Sequence, residues 1–338
     1  MNGTVDGKAA TAGGFRQETP SVEFSVVIPL YNKRDFIRRT LESVFAQTLR
    51  PFEIVVVDDG SCDGGPEAIA DLMADRVTLV RQPNAGPGAA RNRGAAIASG
   101  DWIALIDADD LWHPRHLENL AGVIAVFPDV DVVAAASQQQ MVGDLGARSD
   151  PARDLISARP HRLDYFREPE YHLVHTSSIA IRRTAYAESG GFGPYFPGED
   201  PEFWARLALD HRFALSPVAT SIYVRGTGGL MDTYSSRFGT DVVLRELTFF
   251  SAMMGRALND SRYAARHRDI AGFADRSMLE SAKNLLYVGN GTAVRYALDL
   301  LHHAGGTPIA RAYRLLSYLP GKLLAGGART FSRIKRLP

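Results

Sequence analysis

Trp102-Ile103-Ala104-Leu105-Ile106-Asp107-Ala108-Asp109-Asp110 is the stretch that decides how this chain reads. Its first five residues form an unbroken apolar run, the pattern of a buried strand. Carboxylates are costly to bury, so three of them in the next four residues end the strand and stand at a sheet edge. In an open α/β sheet that carboxyl-end crevice is where ligands bind. Hard oxygen donors there suit Mg2+ or Mn2+ held jointly with a substrate diphosphate. The same residues also fit a solvated acidic turn capping the helix that starts near Pro114.

On either side of that stretch, strand and helix patterns alternate. Phe24 to Pro29 is an apolar, β-branched run, and Ile37, Leu41, Val44 and Phe45 then fall on one helical face. Glu53 to Val57 reads as a second strand, Pro66 to Met73 as a helix and Val77 to Val80 as a third strand. A helix over residues 88–98 precedes the strand that delivers Asp107. Further strands are expected at Val130 to Ala134, Ser177 to Ile181 and Phe213 to Val224, with a helix from Glu199 to Leu209. Residues 138–170 are polar and read as an excursion over the surface. From Asp241 onward the pattern is helical only. Such alternation predicts an α/β fold, a Rossmann-like mostly parallel sheet with flanking helices, plus a C-terminal helical region. The boundaries are set as a flexible leader over 1–21, a sheet domain over 22–238, and a helical region with a basic amphipathic tail over 239–338.

Composition excludes several classes. The 338 residues carry a net charge of 0, so the molecule as a whole has no nucleic-acid footprint. The single Cys62 rules out an internal disulfide and a cysteine-rich zinc site, which fits a reducing compartment. The leader has no apolar h-region and no run is long enough to span a bilayer. A cytoplasmic location is therefore expected, peripheral on the inner face of the cell membrane if the tail binds lipid. The first strand-to-helix turn, Pro29-Leu30-Tyr31-Asn32-Lys33, has no glycine, which disfavours a dinucleotide-binding hydride-transfer enzyme.

The remaining motifs each have two readings. Asp58-Asp59-Gly60-Ser61 can accept from a ligand N–H or hydroxyl, or can form an Asx turn. Gly86-Pro87-Gly88-Ala89-Ala90-Arg91-Asn92 allows close backbone approach and offers a cation to a nucleotide, or is a helix start packed on the sheet. In order and spacing, however, these motifs strongly resemble the family-2 glycosyltransferases of the GT-A fold. The resemblance rests on Ser25 to Asn32, Val56 to Ser61, Asn84 to Gly94 and Asp107 to Asp110. It continues through Gly190-Gly191-Phe192 and Gly198-Glu199-Asp200-Pro201-Glu202-Phe203-Trp204, and covers roughly residues 22–225.

The resemblance implies an inverting, metal-dependent hexosyltransferase that moves a single sugar from a nucleotide-diphosphate sugar to a hydroxyl. A UDP-sugar is the first expectation for the donor, and a polysaccharide or lipid-linked glycan for the acceptor. By position, Leu30, Tyr31 and Asp59 contact the base, within the Pro29–Asn32 turn, and Arg91 lies near the nucleotide. Asp107 and Ala108 stand at the ribose end, Asp109 holds Mn2+ or Mg2+, and Asp110 is a candidate to share it. Asp200 is the expected catalytic base and Glu199 its alternate. Tyr223 to Gly229 contains no His where many relatives carry one, so the additional metal or phosphate contact that the resemblance would imply has no histidine to make it. A non-catalytic nucleotide-sugar-binding scaffold of the same fold stays open, as does, with less support, a nucleotidyltransferase.

The tail is separate physics. No acidic residue follows Asp299, while seven Lys and Arg from Arg311 to Arg336 are interleaved with Leu, Tyr, Phe and Ile. A helix of that make-up can bury its apolar side in an anionic headgroup layer, or pack back on the domain with a solvated basic face.

Overall fold

The computed structural model describes residues 22–73, 76–144, 159–194, 198–228, 240–287, 289–302 and 304–319. The leader, the expected boundary at 238 and the tail from Pro320 onward lie outside these residues. Nine described strands form one sheet, ordered β3-β2-β1-β4-β8-β6-β9-β5, with β7 also on β9. The strands are β1 (Phe24–Leu30), β2 (Glu53–Asp58), β3 (Val77–Arg81), β4 (Trp102–Leu105), β5 (Leu111–Trp112), β6 (Val132–Met141), β7 (His161–Leu163), β8 (Ile179–Arg182) and β9 (Phe213–Arg225).

β1 lies between β2 and β4, parallel to both, and β3 extends the parallel set beyond β2. All seven residues of β1 are buried, because helices cover both faces. Val26, Ile28 and Leu30 pack with Ile37, Leu41 and Val44 of α1 (Arg34–Phe45) and with Leu117, Leu120 and Val123 of α3 (His116–Val126). Val27, Val55, Ile103 and Leu105 face the other way, toward α2 (Pro87–Ile97), α4 (Arg183–Glu188) and α5 (Glu199–Asp210). The period of two in β1 thus divides the core into two layers.

Beyond β4 the pairing changes. β8 runs antiparallel to both β4 and β6, and β9 runs parallel to β6. β9 is long enough to pair antiparallel with β7 at its start and with β5 near its end. Its register against β6 shifts around Pro217, which has no N–H for the ladder and sits in the irregularity. The C-terminal helices α6 (Thr240–Leu258), α7 (His267–Tyr287), α8 (Gly291–Asp299) and α9 (Pro308–Leu316) share one continuous core with α5 and β9. That core joins Phe203, Leu207 and Phe213 to Val243, Leu247, Ile270 and Ala310.

Two expectations are corrected. The segment expected as a helix from Pro66 to Met73 forms the tighter 3₁₀ turn, over Glu67–Leu72; only Ile69 in it is buried, too little apolar surface to support a longer helix. The polar excursion from 138 is structured at both ends. β6 continues through Gln138-Gln139-Gln140, pairing with Ile222, Tyr223 and Val224, and His161–Leu163 adds β7. Backbone pairing there needs no apolar side chains, so composition misled. Residues 145–158 lie outside the described residues. Among the described residues no helix is long and apolar enough to cross a membrane.

Candidate active site

The candidate site lies at the carboxyl ends of β1, β2 and β4. The turn after β1 holds Asn32 at φ 51°, in the left-handed region that Asn tolerates better than most residues. Its N–H donates to Ser61 Oγ at 3.1 Å and its Oδ1 accepts from the Cys62 N–H at 2.9 Å. These bonds tie the β1 turn to the β2 turn. Tyr31 is 43% exposed beside them, while Pro29 and Leu30 are buried. The Leu30 side chain is therefore spent on the core; its carbonyl accepts from the Asp59 N–H at 2.8 Å.

Asp59 is buried, and three donors converge on it. Oδ1 accepts from Gln82 Nε2 at 2.8 Å and the Ala85 N–H at 2.9 Å, and Oδ2 from the Gly86 N–H at 2.9 Å. It thereby fixes the loop that leads into α2. Gly86 itself turns that loop at φ 91°.

Arg91, on α2, organises the centre. Its guanidinium is 4% exposed and meets Asp107 at 2.8 Å, Asp200 at 3.0 Å and Glu199 at 3.3 Å. Burial alone would lower its pKa, but the three carboxylates together raise it. The Phe192 ring lies 5.0 Å away, close enough for a cation–π contact. Arg91, expected near the nucleotide, is enclosed by carboxylates and joins Asp107, just after β4, to the first turn of α5, whose Glu199 lies 108 residues from Arg91.

The four residues after β4 diverge. The Asp107 side chain is 28% exposed, and its N–H donates to Ser177 Oγ at 3.0 Å. Ala108 is buried, and its carbonyl accepts from Thr40 Oγ1 at 2.9 Å. Asp109 is 16% exposed and bonds Lys33 at 2.6 Å and Thr227 Oγ1 at 2.7 Å. Asp110, expected to share a metal, is fully buried. Its oxygens accept from the Ser177 hydroxyl and, at 2.9 Å, from the Val224 N–H. Burial, then the neighbouring Asp107 and Asp109, push its pKa well up, so the turn sends Asp110 into the core as a pin for β9.

Glu199 and Asp200 open α5 behind Gly198, which stands at φ 100°. Burial, reinforced by the charge on Asp200, pushes Glu199 up to about 8. The Asp200 side chain is 33% exposed against 7% for Glu199, and accepts from the Thr176 hydroxyl.

Lys33, Thr176, Ser177 and Thr227 went unmarked as site residues in the sequence. The one available signal is the hydroxyl run Thr176-Ser177-Ser178; Ser177 and Ser178, expected to open a strand, instead form with Thr176 a 3₁₀ turn capped by His175. Trp112 Nε1 donates to the Ser177 carbonyl at 2.6 Å, which fixes that turn from below. His175 is half-buried with its ring against Tyr223, and the desolvation lowers its pKa. Trp204 is buried and packed among Phe192 and Phe203.

Among the described residues no three His, Cys, Asp or Glu gather as a metal cage. Asp107 and Asp109 are partly open at one strand end. Two carboxylates of this kind fit a hard cation whose other ligands come from a diphosphate and water, in the manner of Mg2+ sites.

Residues 25–190 match glycosyl transferase family 2. The succinoglycan biosynthesis protein ExoW of Rhizobium meliloti (strain 1021) is 47% identical over 107 residues, 29% of this chain and 32% of that protein. The uncharacterized glycosyltransferase YwdF of Bacillus subtilis (strain 168) is 30% identical over 227 residues, 64% of this chain and 79% of that protein. Like the match to ExoW, that to the uncharacterized glycosyltransferase alr2836 of Nostoc sp. (strain PCC 7120 / SAG 25.82 / UTEX 2576) spans about a third of the relative's length, 35%. Among solved structures, S. aureus TarS 1-349 in complex with UDP-GlcNAc superposes with a TM-score of 0.68 at 20% identity, over 91% of this chain and 92% of that one. Mannosyltransferase PcManGT from Pyrobaculum calidifontis, in complex with GDP-Man and Mn2+, superposes with a TM-score of 0.54 at 21% identity, over 91% and 84%. At such identities these two speak to the fold, which is the expected GT-A arrangement.

Proposed function

We propose that this chain, which belongs to glycosyl transferase family 2, transfers a single sugar with inversion from a nucleotide-diphosphate sugar to a hydroxyl of a polysaccharide or glycolipid. The observation that carries the reading is the double engagement of Arg91. One guanidinium holds Asp107, at the donor end of the sheet, and Asp200, at the start of α5. A donor-side carboxylate and a proton acceptor thus share one cleft, as a displacement at a sugar carbon requires.

In this reading Tyr31 stacks on the base, and the loop fixed by Asp59 bounds the nucleotide. Asp107 and Asp109 would hold a divalent cation, whose chemistry is to neutralise charge on the departing nucleoside diphosphate. Asp200 takes the proton of the acceptor hydroxyl. Two features favour it over Glu199 as base: it is the more exposed of the two, and Glu199 keeps its own proton below about pH 8. The Thr176 hydroxyl and Arg91 orient its two oxygens. UDP-sugars come first among donors and GDP-sugars next, because the two structural neighbours are complexes with UDP-GlcNAc and GDP-Man. We assign residues 22–238 to catalysis and 239–338 to a C-terminal helical region with a basic amphipathic tail. Exposed Leu315 and Tyr318 at the end of α9, with Arg311 on the same helix, support contact with an anionic membrane. Sedimentation with anionic vesicles tests that contact, and salt-insensitive or absent binding removes it.

The decisive experiment is a panel of UDP-, GDP- and dTDP-sugars with Mn2+, assayed for nucleoside diphosphate release in the presence and absence of glycan acceptors. Release from one donor, lost in Asp200→Asn, is the expected result. Nucleotide-sugar binding without release from any donor would support the scaffold reading instead.

A further inference from the structure

Lys33 occupies the turn between β1 and α1, and its ammonium is committed to the far side of the cleft. Nζ lies 2.6 Å from Asp109 Oδ2, and donates to the Thr227 carbonyl at 3.3 Å and the Thr227 hydroxyl at 3.4 Å. That hydroxyl in turn donates to the same Asp109 oxygen at 2.7 Å. The triangle joins the first strand turn to the segment after β9, 194 residues away. Both charged side chains are more than four-fifths covered, at 18% and 16% exposed. With this coverage and the two bonds to Thr227, the pair differs from a solvated surface ion pair of little energetic weight.

We propose that Lys33 is a built-in counter-cation for Asp109, which a divalent metal must displace before it can use that oxygen. The inference rests on the reading of Asp109 as the metal ligand. An ammonium and a dication cannot both sit against one carboxylate oxygen, since their repulsion in a partly buried site is large. The metal therefore binds weakly on its own, because it first breaks the contacts of Lys33 to Asp109 and Thr227. When a diphosphate enters with the metal, the displaced ammonium gains a new anionic partner in the same cleft. Metal and nucleotide then bind cooperatively, and each raises the affinity for the other by the same factor.

The test is Mn2+ binding to the full chain, measured by electron paramagnetic resonance of the free ion, with and without UDP. Lys33→Met should bind Mn2+ alone about tenfold more tightly than wild type, within the range usual for coupled sites. The gain in Mn2+ affinity that UDP provides should shrink in the same variant. Lys33→Arg, which keeps the charge, should stay near wild type, and circular dichroism checks that each variant is folded. Should Lys33→Met fail to fold, Lys33→Gln is read against the same expectation. Unchanged or weaker Mn2+ affinity in both neutral variants, with binding abolished in Asp109→Asn, would overturn the role of Lys33 while leaving Asp109 as the ligand. Mn2+ binding by none of the proteins, with or without UDP, would overturn the reading of Asp109 and this inference together.

Discussion

The parallel half of the sheet and the half beyond β4 build the cleft in different ways. In the parallel half, polar residues arrive directly at strand ends: Asp58 closes β2, and Asp107 and Asp109 follow β4. Beyond β4 the contributors come from a 3₁₀ turn (Thr176, Ser177), the first turn of α5 (Glu199, Asp200) and the segment after β9 (Thr227). The first half writes its chemistry locally, one strand at a time. The second assembles it across distance, and Arg91 is the bolt between the two. In the proposed reading the parallel half holds the donor and α5 supplies the base, so the two functions should be separable by mutation.

The sharpest break is Asp200→Asn. The amide is nearly isosteric and can still meet Arg91, but it cannot take a proton. Transfer should fall by about 10³-fold, within the range for loss of a general base, while donor affinity in calorimetry stays near wild type. If donor affinity falls equally, the two halves do not act separately. Asp109→Ala attacks the other side and should cost about 10²-fold, the loss of one charge-stabilising contact. Its effect should appear as weaker Mn2+ dependence of the rate, with the fold intact by circular dichroism, since Asp109 lies outside the core.

The same contrast explains what the sequence made legible. Val26 and Val27 announce two buried faces, and the apolar runs of β1, β2 and β4 could be placed almost to the residue, because a strand buried on both sides leaves a continuous signature. Asp109 and Asp110 were not distinguishable, since composition carries no information on which way a turn sends each side chain. The backbone settles it: the Asp110 N–H bonds the Asp107 carbonyl at 3.1 Å, and Asp110 turns inward to the Val224 N–H. The enclosure of Arg91 was equally hidden, because its partners Glu199 and Asp200 lie 108 and 109 residues away. Gln138 to Gln140 read as loop because a strand near the end of a ladder need not be apolar.

A substitution confined to the parallel half sharpens the comparison in another way. Gly94 lies where α2 crosses β1, and a Cβ there would stand 2.3 Å from Val27 Cγ1 and 3.3 Å from Val57 Cγ2. Gly94→Ala should therefore force the helix off the sheet and cost about 1–3 kcal/mol in urea unfolding, the usual range for overpacking. Arg91 rides on the same helix, so residual activity should fall with this shift as well. An unchanged urea midpoint would mean that the helix and sheet yield more easily than their contact suggests.

The smallest expected effect tests the second half alone, through Glu199. Burial and the adjacent Asp200 raise its carboxyl from 4.5 to about 8. Between those two values the folded protein keeps a proton that the unfolded chain has lost. The stability this group contributes is complete below about pH 4.5 and is lost as pH rises toward 8. Glu199→Gln carries no such proton and escapes the loss. The variant should match wild type near pH 5 and exceed it by roughly 1–2 kcal/mol at pH 8.5, a partial share of the 1.36 kcal/mol per pKa unit. Transfer at pH 7 should survive in Glu199→Gln, because the amide resembles the protonated acid and Asp200, the proposed base, is unchanged. Parallel pH–stability curves for the two proteins would show that Glu199 is ionised in the fold. Abolished transfer in Glu199→Gln with activity retained in Asp200→Asn would exchange their roles and move the base to the more buried carboxylate.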